Sequence, residues 1–336
     1  MNDLEARRSV AEAGRMLLSE GLVARTWGNV SCRTGRKSFV ITPSGLSYEG
    51  MTADDVVPFD METGKWEGER KPSSEKGIHA AAYRLFPGAG FIIHTHQTYA
   101  SALSLAGFDG LAIPEFDRWA LGGVALAKYG LPGTKRLQAN VTRALSAGAH
   151  AILMAQHGAL IIGANRDEAF ERAKRLEAVA KNAYRGVLGG ASGNAVMAVS
   201  LLKTIRRVYP NASYTMAPAV VEAAADGKGF PAQLDDMAQM IGPRMVSAHA
   251  DPDALLRALK KRDAALVPGV GAFCRAETAR DCEAVKLLVE KACLAYLHAR
   301  ALGVRAALSP VDAFLMRVVY RFKYSKKAEV PHAERA

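Results

Sequence analysis

The sequence predicts an α/β protein, and two observations carry that reading. Over the first 190 residues, short β-type runs alternate with stretches of helical periodicity. A strand-then-helix arrangement near residue 151 also returns near residue 264. Composition agrees: 49% apolar and 23% charged residues in a chain of 336 can bury a substantial core, and that length accommodates two domains.

Apolar positions at helical spacing run over 4–20 and stop at Gly21. A β-type run at 38–42 ends in the turn Pro43-Ser44-Gly45. A helix is expected over 73–86, with a serine cap and a stop at Pro87-Gly88. A compact strand, 91–96, follows, and a second apolar strand, 151–155, leads into Gln156-His157-Gly158. Asn165-Arg166-Asp167-Glu168 reads as a capping box that opens a long amphipathic helix to about Leu188. The Gly-rich stretch 189–194 is the best linker candidate.

Beyond it lies an internal echo. Residues 151–159 align with 264–272, an offset of 113 (264 − 151), and each strand has a helix before it (137–145 and 253–260) and a long helix after it. The second copy is shortened, carries Val270 where the first has His157, and holds no His-x-His. The expected organisation is a first domain at 1–190, a degenerate second lobe at 195–323 that lacks the first domain's histidines, and a basic, disordered tail at 324–336.

Several classes are disfavoured. No stretch of 18 apolar residues is present, and the charged N-terminus has no apolar signal core, so a cytoplasmic protein without a membrane partner is expected. Cys32, Cys274, Cys282 and Cys293 form no C-x-x-C pair and read as reduced structural thiols. The net charge of +11 suits anionic ligands. The basic clusters at 203–207 and 321–327 belong to no nucleic-acid module, so no nucleic-acid partner is expected.

The chemistry is carried by histidines. Side chains at i and i+2 of a strand share a face, so His94 and His96 project together and can chelate one ion. Such a pair alone is equally a pair of hydrogen-bonded histidines. His157, at the end of an apolar strand and followed by Gly158, supplies a third imidazole and makes an open zinc-type site. His150 reads as an exposed residue at a strand start; His79, His249, His298 and His332 read as structural or solvent-facing. Glu75, after Ser73-Ser74, is either a glutamate favoured by a helix start or a proton carrier beside the ion. Trp27-Gly28-Asn29-Val30-Ser31 and Thr42-Pro43-Ser44-Gly45 are short turns of small donors that let N–H groups approach a phosphate.

Taken in order, Gly28-Asn29-Val30-Ser31, Thr42-Pro43-Ser44-Gly45, Pro72-Ser73-Ser74-Glu75, His94-Thr95-His96 and Gln156-His157-Gly158 resemble the class II aldolase/adducin family across about residues 5–190. That resemblance implies a three-layer fold with a mainly antiparallel sheet flanked by helices, and here a second, shortened aldolase-like lobe. It implies Zn2+ or another divalent transition metal on His94, His96 and His157, with Glu75 completing the shell and exchanging the proton. Gly28, Asn29, Ser44, Gly45, Ser73 and Ser74 would bind the substrate's phosphate, and Tyr129 would reach a neighbouring subunit's site as a proton donor. The implied reaction cleaves a ketose 1-phosphate to dihydroxyacetone phosphate and a small aldehyde. The implied assembly is a homo-oligomer, either a four-fold ring or a dimer of two-lobed chains. Dehydratase and decarboxylase chemistry on the same site, or an adducin-like scaffold without catalysis, are the competing readings. Glutamate at 75 is unlike the aspartate of the related 4-epimerases.

Overall fold

The computed structural model describes residues 2–105, 113–184 and 190–324. The chain divides into two compact units, one built on Met1–Asn182 and the other on Ala183–Phe322.

The first unit begins with helix α1 (Asp3–Ser19), opened by a capping box between Asn2 and Glu5. Strands β1 (Asn29–Arg33), β2 (Ser38–Ile41) and β3 (Val57–Asp60) form an antiparallel meander. Helix α2 (Lys76–Leu85) leads to strand β4 (Phe91–Thr95), short helices α3 (Thr98–Leu103) and α4 (Glu115–Ala120), and strand β5 (Val124–Ala127). Helix α5 (Lys135–Leu145), the hairpin of β6 (Ala151–Met154) and β7 (Gly158–Gly163), and helix α6 (Arg166–Tyr184) complete the unit. The seven strands lie in the order β3-β2-β1-β4-β7-β6-β5, antiparallel throughout except for the β5–β6 pair.

Alternating residues of this sheet face opposite sides, and both sides are buried. Phe39, Ile41, Ile92, Ile152, Leu160 and Ile162 pack with Ile78, Ala82 and Tyr83 of α2 and Leu137 and Val141 of α5. The intervening Val30, Val40, Ile93, Leu153 and Ile161 are equally buried. On their side α1 lies along β1 and β2, and α3 lies against β6 and β7. Burial of each large aliphatic side chain is worth about 1.5–3 kcal/mol. A mainly antiparallel sheet between two helical layers results, the α/β class expected.

The second unit starts with α7 (Ala195–Ile205), β8 (Ser213–Thr215) and α8 (Pro218–Ala224), and passes through a π-helical turn at Met237–Ile241 to β9 (Val246–Ser247). Helix α9 (Pro252–Lys261), the hairpin of β10 (Ala264–Val267) and β11 (Gly271–Cys274), and helices α10 (Ala279–Ala301) and α11 (Pro310–Val319) follow. Its sheet runs β8-β11-β10-β9, with only β9–β10 parallel. Order and direction repeat those of β4-β7-β6-β5. Its core joins Leu201 and Ile205 of α7 to Leu255, Leu259, Val267 and Phe273.

Two local expectations need correction. The helix expected from Ser73 starts at Lys76, because the segment before it is held extended: Ser44 N–H donates to the Lys71 carbonyl at 2.9 Å and Ser73 N–H to that of Thr42 at 3.0 Å. His150 is half-buried rather than exposed, with Nδ1 3.1 Å from the Gly122 carbonyl and its ring against Phe86. Strands β1, β3, β5, β7, β8, β9 and β11 have no counterpart in the sequence reading. The helix end near Leu188, Gly189, His332 and the tail from residue 325 lie outside the described residues. The four cysteines are free and buried, and burial pushes the Cys32 thiol up to about 11, which suits inert thiols. Among the described residues no helix is long and apolar enough to cross a membrane.

Candidate metal centre

The sheet itself brings the histidines together. His94 lies near the end of β4, paired with Leu160 of β7, and Thr95 is paired with Ala159. His157 precedes β7 in the β6–β7 turn, so the pairing sets it beside the end of β4. That turn is tight: Gln156 adopts a left-handed φ of 63°, and its N–H donates to Ser104 Oγ at 3.1 Å. Gly158 has to be glycine, since a Cβ there would stand 2.2 Å from the Thr95 carbonyl oxygen and 3.2 Å from the His94 ring. His96 lies one residue past β4, fixed by its N–H to the Leu22 carbonyl at 3.0 Å, with its ring stacked on Trp27 at 6.2 Å.

The result is one buried cluster. His94 Nε2 is 3.0 Å from His157 Nε2 and 3.1 Å from His96 Nε2. All three rings are less than 9% exposed, and all three can offer a ligand atom to one ion. His94 Nδ1 lies 2.9 Å from the Ala159 carbonyl. An oxygen acceptor there fixes the proton on Nδ1 and leaves the Nε2 lone pair facing the cluster, the tautomer a metal ligand needs. Lone pairs about 3 Å apart repel unless a proton or cation lies among them.

Glu75 closes the cluster. As the residue capping α2 it approaches from the helical layer, with Oε2 3.3 Å from His94 Nε2 and Oε1 3.3 Å from His157 Nε2. Oε1 is buried and receives no hydrogen bond, while Oε2 accepts from Asn29 Nδ2 at 2.9 Å. Burial would push the Glu75 carboxyl up, but the His94 and His157 rings and the Asn29 amide hold it well below the usual carboxylate range. Three imidazoles and a carboxylate suit a zinc-class ion. Bonds of about 2.0–2.1 Å in a tetrahedral shell place donors roughly 3.3 Å apart, close to the separations here. The donor set therefore fits a divalent transition ion.

The remaining expected site residues fall in two groups. The loops carrying Ser44-Gly45 and Ser73-Ser74 are bridged between Pro43 and Pro72, so the structure brings them together. Ser74 also faces Gly133, in the loop between β5 and α5. Gly28 takes a φ of 79° and Gly45 one of 77°, conformations that glycine adopts freely. The Asn29 side chain is engaged by Glu75 and His79. Tyr129 follows β5, half-buried, with its carbonyl accepting from Asn140 Nδ2 at 2.9 Å.

Sequence reasoning missed the support beneath Glu75. His79 and Tyr83 share a face of α2 with Glu75 by their four-residue spacing, and Asn29 and Ser31 share a face of β1. That double periodicity, polar in an otherwise apolar layer, was the legible signal.

A family model described as the class II aldolase and adducin N-terminal domain matches residues 8–184. Among solved structures, an L-fuculose 1-phosphate aldolase is 31% identical with a TM-score of 0.48, over 54% of this chain and 84% of that one. L-Fuculose-1-phosphate aldolase from Thermus thermophilus is 26% identical with a TM-score of 0.43, over 52% of this chain and 90% of that one. YgbL from Klebsiella pneumoniae, named only as a candidate aldolase/epimerase/decarboxylase, is 26% identical with a TM-score of 0.49, over 54% of this chain and 89% of that one.

Proposed function

Because the chain belongs to the class II aldolase and adducin family, we propose that it is a zinc-dependent aldolase that cleaves a ketose 1-phosphate, of the fuculose 1-phosphate kind, to dihydroxyacetone phosphate and a small aldehyde. The observation that carries this reading is the convergence of His94, His96 and His157 on one point with Glu75 alongside.

In this proposal His94, His96 and His157 hold the ion. When bound, it supplies Lewis acidity toward the carbonyl and adjacent hydroxyl of the substrate. Glu75 does the proton work. Held ionised in a buried site, it takes the proton from the nucleophilic carbon in synthesis and returns it in cleavage. Its Oε1 faces the cluster while Oε2 is anchored by Asn29, so one oxygen is available and the other fixed. Gly28, Asn29, Ser44, Gly45, Ser73 and Ser74 wall the phosphate subsite. With the Asn29 amide committed elsewhere, the donors there are the serine hydroxyls and the loop N–H groups of Gly45 and Ser74. Tyr129 exchanges the proton on the aldehyde oxygen, at its own or a neighbouring subunit's site. A homo-oligomer in the cytoplasm is part of the same proposal.

The second unit is proposed to be a degenerate copy of the first. With β11 laid on β7, His94 corresponds to Tyr214, His96 to Met216 and His157 to Val270, so no donor set is expected there.

A coupled assay for dihydroxyacetone phosphate on a panel of ketose 1-phosphates, with and without chelator, tests the function. Chelator-sensitive release from at least one member is expected. Release of none, with zinc loaded, sinks the aldolase reading.

A further inference from the structure

Glu75 stands at the end of a chain of buried hydrogen bonds whose direction can be assigned. The Asn29 amide nitrogen lies 2.9 Å from Glu75 Oε2 and, being a donor only, donates to it. Asn29 Oδ1 therefore faces His79 Nε2, which must carry the ring proton. His79 Nδ1 is then an acceptor, and Ser31 O–H donates to it at 2.6 Å. Ser31 Oγ in turn accepts from Tyr83 OH at 2.9 Å. Each assignment forces the next. All five residues are less than 9% exposed.

His79 is the joint of this chain. It rises from the middle of α2 with its ring stacked on Phe39 at 6.5 Å and 26°. Burial, with the His94 ring, pushes it down to about 3, so it stays neutral at physiological pH, and the hydrogen bonds at its two nitrogens set the tautomer. The groups around it from the facing strands are Asn29, Ser31 and Phe39. Without a donor at Nε2, the Asn29 amide loses the partner that decides which way round it sits. A flipped amide would set Oδ1 against Glu75 Oε2, two acceptors face to face.

We propose that His79 is a positioning residue that, through Asn29, fixes the rotation of the Glu75 carboxylate so that Oε1 is presented to the three imidazoles. This rests on the reading that those imidazoles and Glu75 hold an ion; groups that orient a ligating shell typically change metal affinity about 10–100-fold when removed.

Two variants separate positioning from packing. In His79→Gln the side-chain nitrogen can reach the place of Nε2, whereas in His79→Asn the amide reaches only that of Nδ1. Zinc affinity is read by competition with a chromophoric chelator, on full-length protein. The expected result is a loss of about 10–100-fold in H79N and about three-fold or less in H79Q. Equal affinities in all three proteins, or equal losses in both variants, overturn the proposal. A second readout needs no variant: nitrogen-15 NMR of the wild-type histidines should show His79 neutral and protonated on Nε2, and an Nδ1-protonated ring overturns it. If the wild type takes up no zinc, the reading of the site fails alone, and the tautomer decides this inference by itself.

Discussion

Gly28 lies directly beneath the backbone of His94: a Cβ at Gly28 would stand 2.4 Å from the His94 carbonyl oxygen. The approach joins the start of β1 to the end of β4, where Asn29 and His94 are register partners. Replacing Gly28 with alanine adds that clash to a backbone φ of 79°. A loss of about 3 kcal/mol in unfolding free energy is expected, with weakened zinc uptake because His94 must shift. Chemical denaturation and metal titration of G28A check both, and a variant as stable as the parent would contradict the contact.

Glu75→Gln should leave the fold intact and remove the chemistry. Glutamine can still accept from Asn29 through its amide oxygen, but it no longer moves a proton. Turnover of the responsive ketose 1-phosphate should fall about 100- to 10,000-fold, with little change in thermal midpoint. Steady-state kinetics beside calorimetry measures the two effects.

Metal and stability should be linked. An ion that binds only the folded chain adds about 2.7 kcal/mol at a hundred times its dissociation constant. Zinc should raise the thermal midpoint and a chelator should reverse the rise. In His157→Ala, which removes one of the three imidazoles, the zinc-dependent increment should vanish, as read in paired melting curves with and without the ion.

The buried His79 makes a prediction about pH whose sign is fixed. Its folded value is pushed down to about 3, from 6.5 for an unperturbed histidine. Below pH 6.5 the unfolded chain therefore binds a proton that the folded chain refuses, and stability falls as pH falls from there toward 3. Between pH 7.5 and 5.5 this group alone should remove about 1.4 kcal/mol. His79→Gln should lose that much less over the same interval, in denaturation series run without metal.

Glu177 of α6 accepts from the N–H groups of Tyr99 and Ala100, both at 2.9 Å, at the start of α3. Removing that carboxylate by Glu177→Ala leaves two helix-start donors without it. A loss of about 2 kcal/mol is expected, together with faster hydrogen exchange in α3, the helix that follows His96. Exchange rates measured by mass spectrometry would show whether the effect is local.

Much of the site was legible in the sequence because its signals are local. His94 and His96 two residues apart, and His157 before a glycine, needed only the alternation of a strand and a turn. What could not be read was pairing. Strand β7 begins with a glycine that looks like a turn, and only its register with β4 reveals that it carries His157 to the other two rings. The serines before Glu75 resembled a helix cap, but long-range bonds to Thr42 and from Ser44 keep that segment extended. His79 was read as structural, since its role depends on Asn29, fifty residues away in the chain. The repeated strand order in the second unit was better marked, because an offset of 113 residues recurs through several elements.

Every donor described at the centre, from Asn29 through Glu75 to His157, precedes the second unit in the chain. A ribosome has therefore delivered all of them before it begins that unit. Synthesis therefore assembles every residue of the candidate metal centre while the second unit is still to come.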